Sequence, residues 1–234
     1  MTLRRGPDLP YVLVAGVIPV ASGWLVASAK MHAATFSPEP PRLYASILDV
    51  LNERPSFATV VIHAPIGFRD HRDEGSRTCD QQGRMVLGHR GPTLAPAPTR
   101  EHLTGGTPSH EGLDVSTLAR LTRYRELYDE LLPFRQRTLY SGHPELSFMQ
   151  LNGDIALKWP KRREEGREER RNLLVRRVPG ISAVIDASLN VPEPHLYDAA
   201  ALLWTARRVN GRAAIRIPAE GEWDSEGLRT EFVY

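Results

Sequence analysis

Residues Tyr11 to Ala29 contain no charged side chain and are mostly apolar. A run of this kind must be buried, and its interior decides how. Pro19, Ser22 and Gly23 interrupt it with turn chemistry. The flanking segments, Tyr11 to Ile18 and Gly23 to Ala29, are rich in residues that favour strands. The run therefore reads as two short strands joined by a turn. A secretory leader is the competing reading, because Arg4 and Arg5 precede the run and Val26-Ala27-Ser28-Ala29 has the form of a cleavage site. The central break, and Asp8 in the region that should be positive, favour strands. The run barely reaches membrane-spanning length.

The remaining chain alternates between strand and helix patterns. His32 to Phe36 is a third expected strand. Pro40-Pro41 is expected to open a helix through Leu51, with Leu43, Ile47, Val50 and Leu51 on one face. Phe57 to Ile62 is wholly apolar apart from Thr59, as in a strand covered on both faces. Helices are expected over Arg77 to Leu87, Val115 to Pro133, Pro144 to Leu151, Arg162 to Arg177 and His195 to Val209. Short strands are expected at Thr138 to Ser141 and Ala213 to Ile217. Residues 66–114 read as an inserted loop or lid, least structured from Gly91 to Gly112. The order β-β-β-α-β implies an α/β domain with a mixed sheet. At 234 residues, one domain over 1–234 is the expected organisation.

Charge excludes one mode of action. The net charge is +2, so no strongly basic arm binds nucleic acid by charge alone. The basic run Lys158 to Arg177 is a candidate local nucleic-acid surface, but it is interleaved with Glu164, Glu165, Glu168 and Glu169 and reads first as a solvated helix face. Cys79 is the single cysteine, which excludes an internal disulfide and a cysteine-based zinc site. It fits a reducing, cytoplasmic setting, and no membrane partner is expected. Nucleophile-elbow, phosphate-loop, dinucleotide-fingerprint and zinc-protease motifs are all missing from the sequence.

Several segments in order resemble one family. They are Gly16-Val17 with Gly23 to Ala27, Pro65-Ile66-Gly67, Arg77 to Asp80 with Arg84, Leu87 and Gly88, and His143-Pro144-Glu145. Lys161 with Gly166, Arg167 and Arg170, Asp198-Ala199-Ala200 with Trp204, and the tail Asp224 to Tyr234 continue the series. Together they are similar to the domain-of-unknown-function 429 proteins, predicted RNase H-like nucleases. The resemblance implies a ribonuclease-H-like α/β fold: a five-stranded mixed sheet, three antiparallel strands then two parallel ones, with helices on both faces.

The resemblance also implies a chemistry. Such nucleases hold two divalent cations, Mg²⁺ or Mn²⁺, on carboxylates at the sheet centre. The four family positions correspond here to Ile18, His63, Glu145 and Asp198. An isoleucine cannot ligate, and an imidazole cannot bridge two metals as a carboxylate does. A reduced site is the first expectation, with Glu145 and Asp198 as metal ligands and His63 as third ligand or general base, and with His143 and His195 nearby. Asp80, Asp186 and Glu193 are candidates to replace the missing acid. Arg77, Arg84 and Lys161, with Arg100 and His102, are candidate phosphate contacts, against structural ion pairs for the first two. The corresponding activity is metal-dependent hydrolysis of nucleic acid. The alternatives are an inactive relative that binds nucleic acid or a protein partner, and a cleft for a small phosphorylated ligand.

Overall fold

The computed structural model describes residues 10–105 and 111–234. The strands are β1 (Val12–Val20), β2 (Gly23–His32), β3 (Thr35–Pro38), β4 (Arg42–Tyr44), β5 (Phe57–Ile62), β6 (Leu139–Ser141), β7 (Arg216–Ile217) and β8 (Phe232–Val233). The helices are α1 (Ile47–Leu51), α2 (Thr78–Leu87), α3 (Arg100–Thr104), α4 (Val115–Leu118), α5 (Leu121–Glu130), α6 (Pro144–Leu151), α7 (Glu164–Arg177), α8 (Ser182–Ile185) and α9 (Glu193–Asn210).

The uncharged run is the β1–β2 hairpin, at the heart of a mixed sheet with strand order β3-β2-β1-β5-β6. β1, β2 and β3 are antiparallel to one another in sequence, and β5 and β6 run parallel to β1. The sheet has six strands rather than the expected five, because β4 also pairs with β2. β3 covers Ala29 to His32 of β2, and β4 covers Trp24 to Val26. The two lie on the same edge of β2 as one interrupted strand. The break falls at Pro40-Pro41, which have no N–H to give a ladder. Those prolines therefore do not open the expected helix. The helix starts later, at α1, where the Ser46 side chain caps it by accepting from the Asp49 N–H at 3.1 Å.

Alternation along β1 sends side chains to two cores. Val14, Ile18 and Val20 pack with α6, α7, α8 and α9. Leu13, Ala15 and Val17 pack with α1 and α5. α9 lies along β1 so closely that Gly16 is the only residue type that fits. A Cβ there would meet the Leu203 nitrogen at 2.2 Å and the Ala199 oxygen at 2.4 Å, both backbone atoms. Gly16→Ala is expected to lower stability by about 1–3 kcal/mol or more, since a helix backbone yields less than a side chain. Urea unfolding checks this; an unchanged midpoint would contradict the packing described.

The expected helix over Val115 to Pro133 is interrupted at Ala119 and Arg120, giving α4 and α5. The stretch from Gly91 to Gly112 is more ordered than its composition implies, as it holds α3; its residues 106–110 lie outside the described residues. β7 joins β8 in a separate small sheet. No helix among the described residues is long and apolar enough to cross a membrane.

Candidate functional site

The two parallel strands β5 and β6 end side by side, with Ile62 paired to Ser141. His63 follows the first and His143 the second. The His63 N–H donates to the Val17 oxygen at 2.8 Å, and the Gly142 N–H donates to the Ile62 oxygen at 2.9 Å. These bonds set the two imidazoles edge to face, with ring centres 4.9 Å apart. The carboxyl end of parallel strands is where open α/β sheets bind ligands.

His143 also starts α6. Its Nδ1 accepts from the Glu145 N–H at 3.3 Å, so the proton of the neutral ring sits on Nε2. Burial pushes the His143 pKa down to about 4, against the pull of Glu145. Burial likewise holds His63 well below the ordinary histidine range, reinforced by Arg120, His143 and Lys161. Both rings are therefore neutral at pH 7.

Glu145 does not face an open metal site. The buried Arg170 donates through Nη2 to Oε1 at 2.5 Å, and Arg90 donates through Nε to Oε2 at 3.3 Å. Burial alone would raise the Glu145 pKa, but the two guanidiniums outweigh it and hold the carboxyl below its usual range. Asp198, on α9, is paired to Lys161 at 2.5 Å. Its Oδ1 and the Nδ1 of His195, one turn earlier, are buried without a hydrogen-bond partner among the described residues. Ile18 is buried in the core under α9.

The acids that were candidates to replace the missing one are committed elsewhere. Asp80 takes two bonds from Arg77, at 2.9 and 2.7 Å. Asp186 pairs with Arg171, and Glu193 with Arg167. Arg77 is itself buried, and its remaining donor holds the Ile66 and Gly67 oxygens. Arg84 donates to the Leu94 oxygen. Arg100 ties Asp70, Asp224 and Glu226 together, and His102 caps the turn at Thr99. The structure thus gathers His63, His143, Glu145, Lys161 and Asp198, and leaves Arg77, Arg84, Arg100 and His102 as internal ties. Cys79 is buried, and burial pushes its thiol up to about 12, which leaves it unreactive.

These donors do not fit a pair of hard divalent cations. Of the four positions that the resemblance implies, one is aliphatic, one is an imidazole, and the two carboxylates are neutralised by three basic side chains. Among the described residues, no group of three or more His, Cys, Asp or Glu side chains is placed to hold a metal ion.

The site is instead a cationic cavity of about 340 Å³. Arg90, Arg120, Lys161 and Arg162 line it, with Glu145 as the only acid among its lining residues and with His63 and His143 beside it. Among the described residues, Arg120 and Arg162 take part in no ion pair, so their charges remain available to a ligand. The sequence reading missed Arg90 and Arg120, and held Arg162 only as part of the basic run Lys158 to Arg177. Arg170 carried a readable signal: it stands on the same helical stripe as Gly166, Leu173 and Leu174, all buried, where a charge requires a buried partner. Arg120 carried none: the sequence reads as one helix through it, and the turn at Ala119 and Arg120 appears only in the structure.

Neither the curated proteins nor the solved structures include a match to this chain. A family model described as protein of unknown function (DUF429) matches residues 16–222. A match over most of the chain, running from β1 past the β7 strand, places every residue of the cavity inside the family's domain: the chain belongs to the DUF429 family.

Proposed function

We propose that this protein is a ribonuclease-H-like domain that binds nucleic acid through its phosphates and does not hydrolyse it by a two-metal mechanism. The strand path, three antiparallel strands followed by two parallel ones, supports the fold reading. One observation carries the functional reading: where the family resemblance implies a nest of carboxylates, this chain has Glu145 clamped between Arg90 and Arg170, and four cations around the cavity. A metal pair needs a surplus of negative charge, and a phosphate needs the reverse. Guanidiniums also match phosphate oxygens with paired N–H donors.

The test joins binding to cleavage. Labelled single- and double-stranded DNA, RNA and hybrid are incubated with Mg²⁺, Mn²⁺ or EDTA, and binding is followed by fluorescence anisotropy over a range of salt. The expected result is binding that weakens as salt rises, is unaffected by EDTA and leaves the nucleic acid intact. Metal-dependent cleavage that disappears in Asp198→Ala would replace this reading with the nuclease one. No binding to any nucleic acid would remove it.

A further inference from the structure

The cavity has properties that distinguish one kind of phosphate from another. Its size, about 340 Å³, is that of a pocket for a small ligand, not of a groove for a duplex. Pro92, Pro144 and Pro160 form part of its wall, and each fixes its own backbone φ and offers no N–H. The amino-terminal end of α6, at Pro144 and Glu145, opens into it and adds positive field.

Its charge is more telling than its size. Four basic side chains face a single carboxylate, and the two histidines add none of their own at neutral pH. A phosphodiester within a chain carries one negative charge. A terminal phosphate monoester carries about 1.5 to 2 near pH 7 and presents three free oxygens. The Nε2–H of His143 is a neutral donor beside these cations, suited to an oxygen that the guanidiniums leave unpaired.

We infer that the cavity is a receptor for a phosphomonoester, and that on nucleic acid it captures a phosphorylated chain end rather than the interior of a strand. Arg120 and Arg162 supply charges that no internal carboxylate takes among the described residues. Lys161 and Arg90 lean on Asp198 and Glu145 and are held in place by them. This rests on the nucleic-acid-binding reading for the identity of the ligand, but not for its chemistry.

The experiment compares one short single-stranded oligonucleotide in three forms: 5′-phosphorylated, 3′-phosphorylated, and hydroxyl at both ends. Anisotropy gives the affinities, and calorimetry with adenosine monophosphate and with inorganic phosphate gives the small-ligand arm. A phosphorylated end is expected to bind about tenfold more tightly or better than its hydroxyl counterpart. Adenosine monophosphate is expected to compete with it. Arg120→Met and Arg162→Met, whose side chains make no ion pair among the described residues, are expected to abolish the preference while keeping the thermal midpoint. Equal binding of all three forms, uncompeted by the monophosphate, overturns the inference and leaves nucleic-acid binding standing. Binding of adenosine monophosphate or phosphate without binding of any oligonucleotide upholds the receptor and removes the nucleic-acid reading. A preference that survives both arginine variants overturns the assignment of the cavity.

Discussion

Arg170→Met is expected to destabilise the protein by about 3–5 kcal/mol, because it leaves a buried carboxylate short of its main counter-charge. Arg170 is fully buried and bonds Glu145 at 2.5 Å, while Arg90, at 3.3 Å, is the weaker partner. The same guanidinium donates to the Gly166 oxygen at 2.8 Å and to the Trp159 oxygen at 3.0 Å. It therefore also holds the turn that presents Lys161 and Arg162 to the cavity. Whole domains are stable by only about 5–15 kcal/mol, so this variant is expected to be near the edge of folding. The double variant Arg170→Met with Glu145→Leu removes both charges and is expected to recover much of the loss. Urea unfolding of the single and double variants tests this. A loss below about 1 kcal/mol in Arg170→Met would mean that the clamp is solvated.

Stability is expected to fall steadily between pH 6.5 and about 4, and His143 is the main reason. Its ordinary value is 6.5, and burial lowers it to about 4 in the folded protein. The unfolded chain therefore takes up the proton first as the solution is acidified. Stability from this residue is complete above pH 6.5, declines through the window and levels off below about 4. The total is about 3 kcal/mol, because each tenfold loss of proton affinity on folding is worth about 1.4 kcal/mol. The structural cause is direct: a protonated ring loses the Nδ1 acceptor that caps Glu145 N–H. His63, also held neutral by burial, pushes in the same direction. Glu145 does not cancel the trend. Its carboxyl is held below its ordinary 4.5, so its own contribution persists above that pH and is lost only as the pH falls further. Unfolding midpoints of the parent and His143→Gln across pH 7 to 4.5 test the assignment, and the variant should show a flatter dependence. Parallel curves would show that His143 carries none of it.

Much of the architecture was legible from local chemistry. The hairpin followed from an uncharged run carrying turn residues, although Pro19 and Gly23 lie inside β1 and β2 and only Ala21 and Ser22 make the turn, and α6 begins and ends where Pro144 and Leu151 indicate. α2, α7 and α9 lie within a few residues of their expected bounds. What was not legible depended on partners distant in the chain. Arg42 to Tyr44 reads as helix by spacing, yet the open edge of β2 takes it as strand because unpaired ladder groups are costly. β8 is two residues long and exists only because β7 lies beside it.

The candidate site divides in the same way. Sequence alone determined that Ile18 and His63 stand at two positions where the family resemblance places carboxylates, and that Glu145 and Asp198 remain. No spacing along the chain reveals what surrounds those two acids. Arg170 is 25 residues from Glu145, and Arg90 is 55 residues away in the opposite direction. Lys161 and Asp198 are separated by 37. Only the packing of α6, α7 and α9 on one another, and of α2 with the segment after it that carries Arg90 on α6, brings these charges together. Electrostatic character depends on distance and burial, neither of which is local in sequence. That packing decided that the residual acids are neutralised and that the cavity beside them is positive.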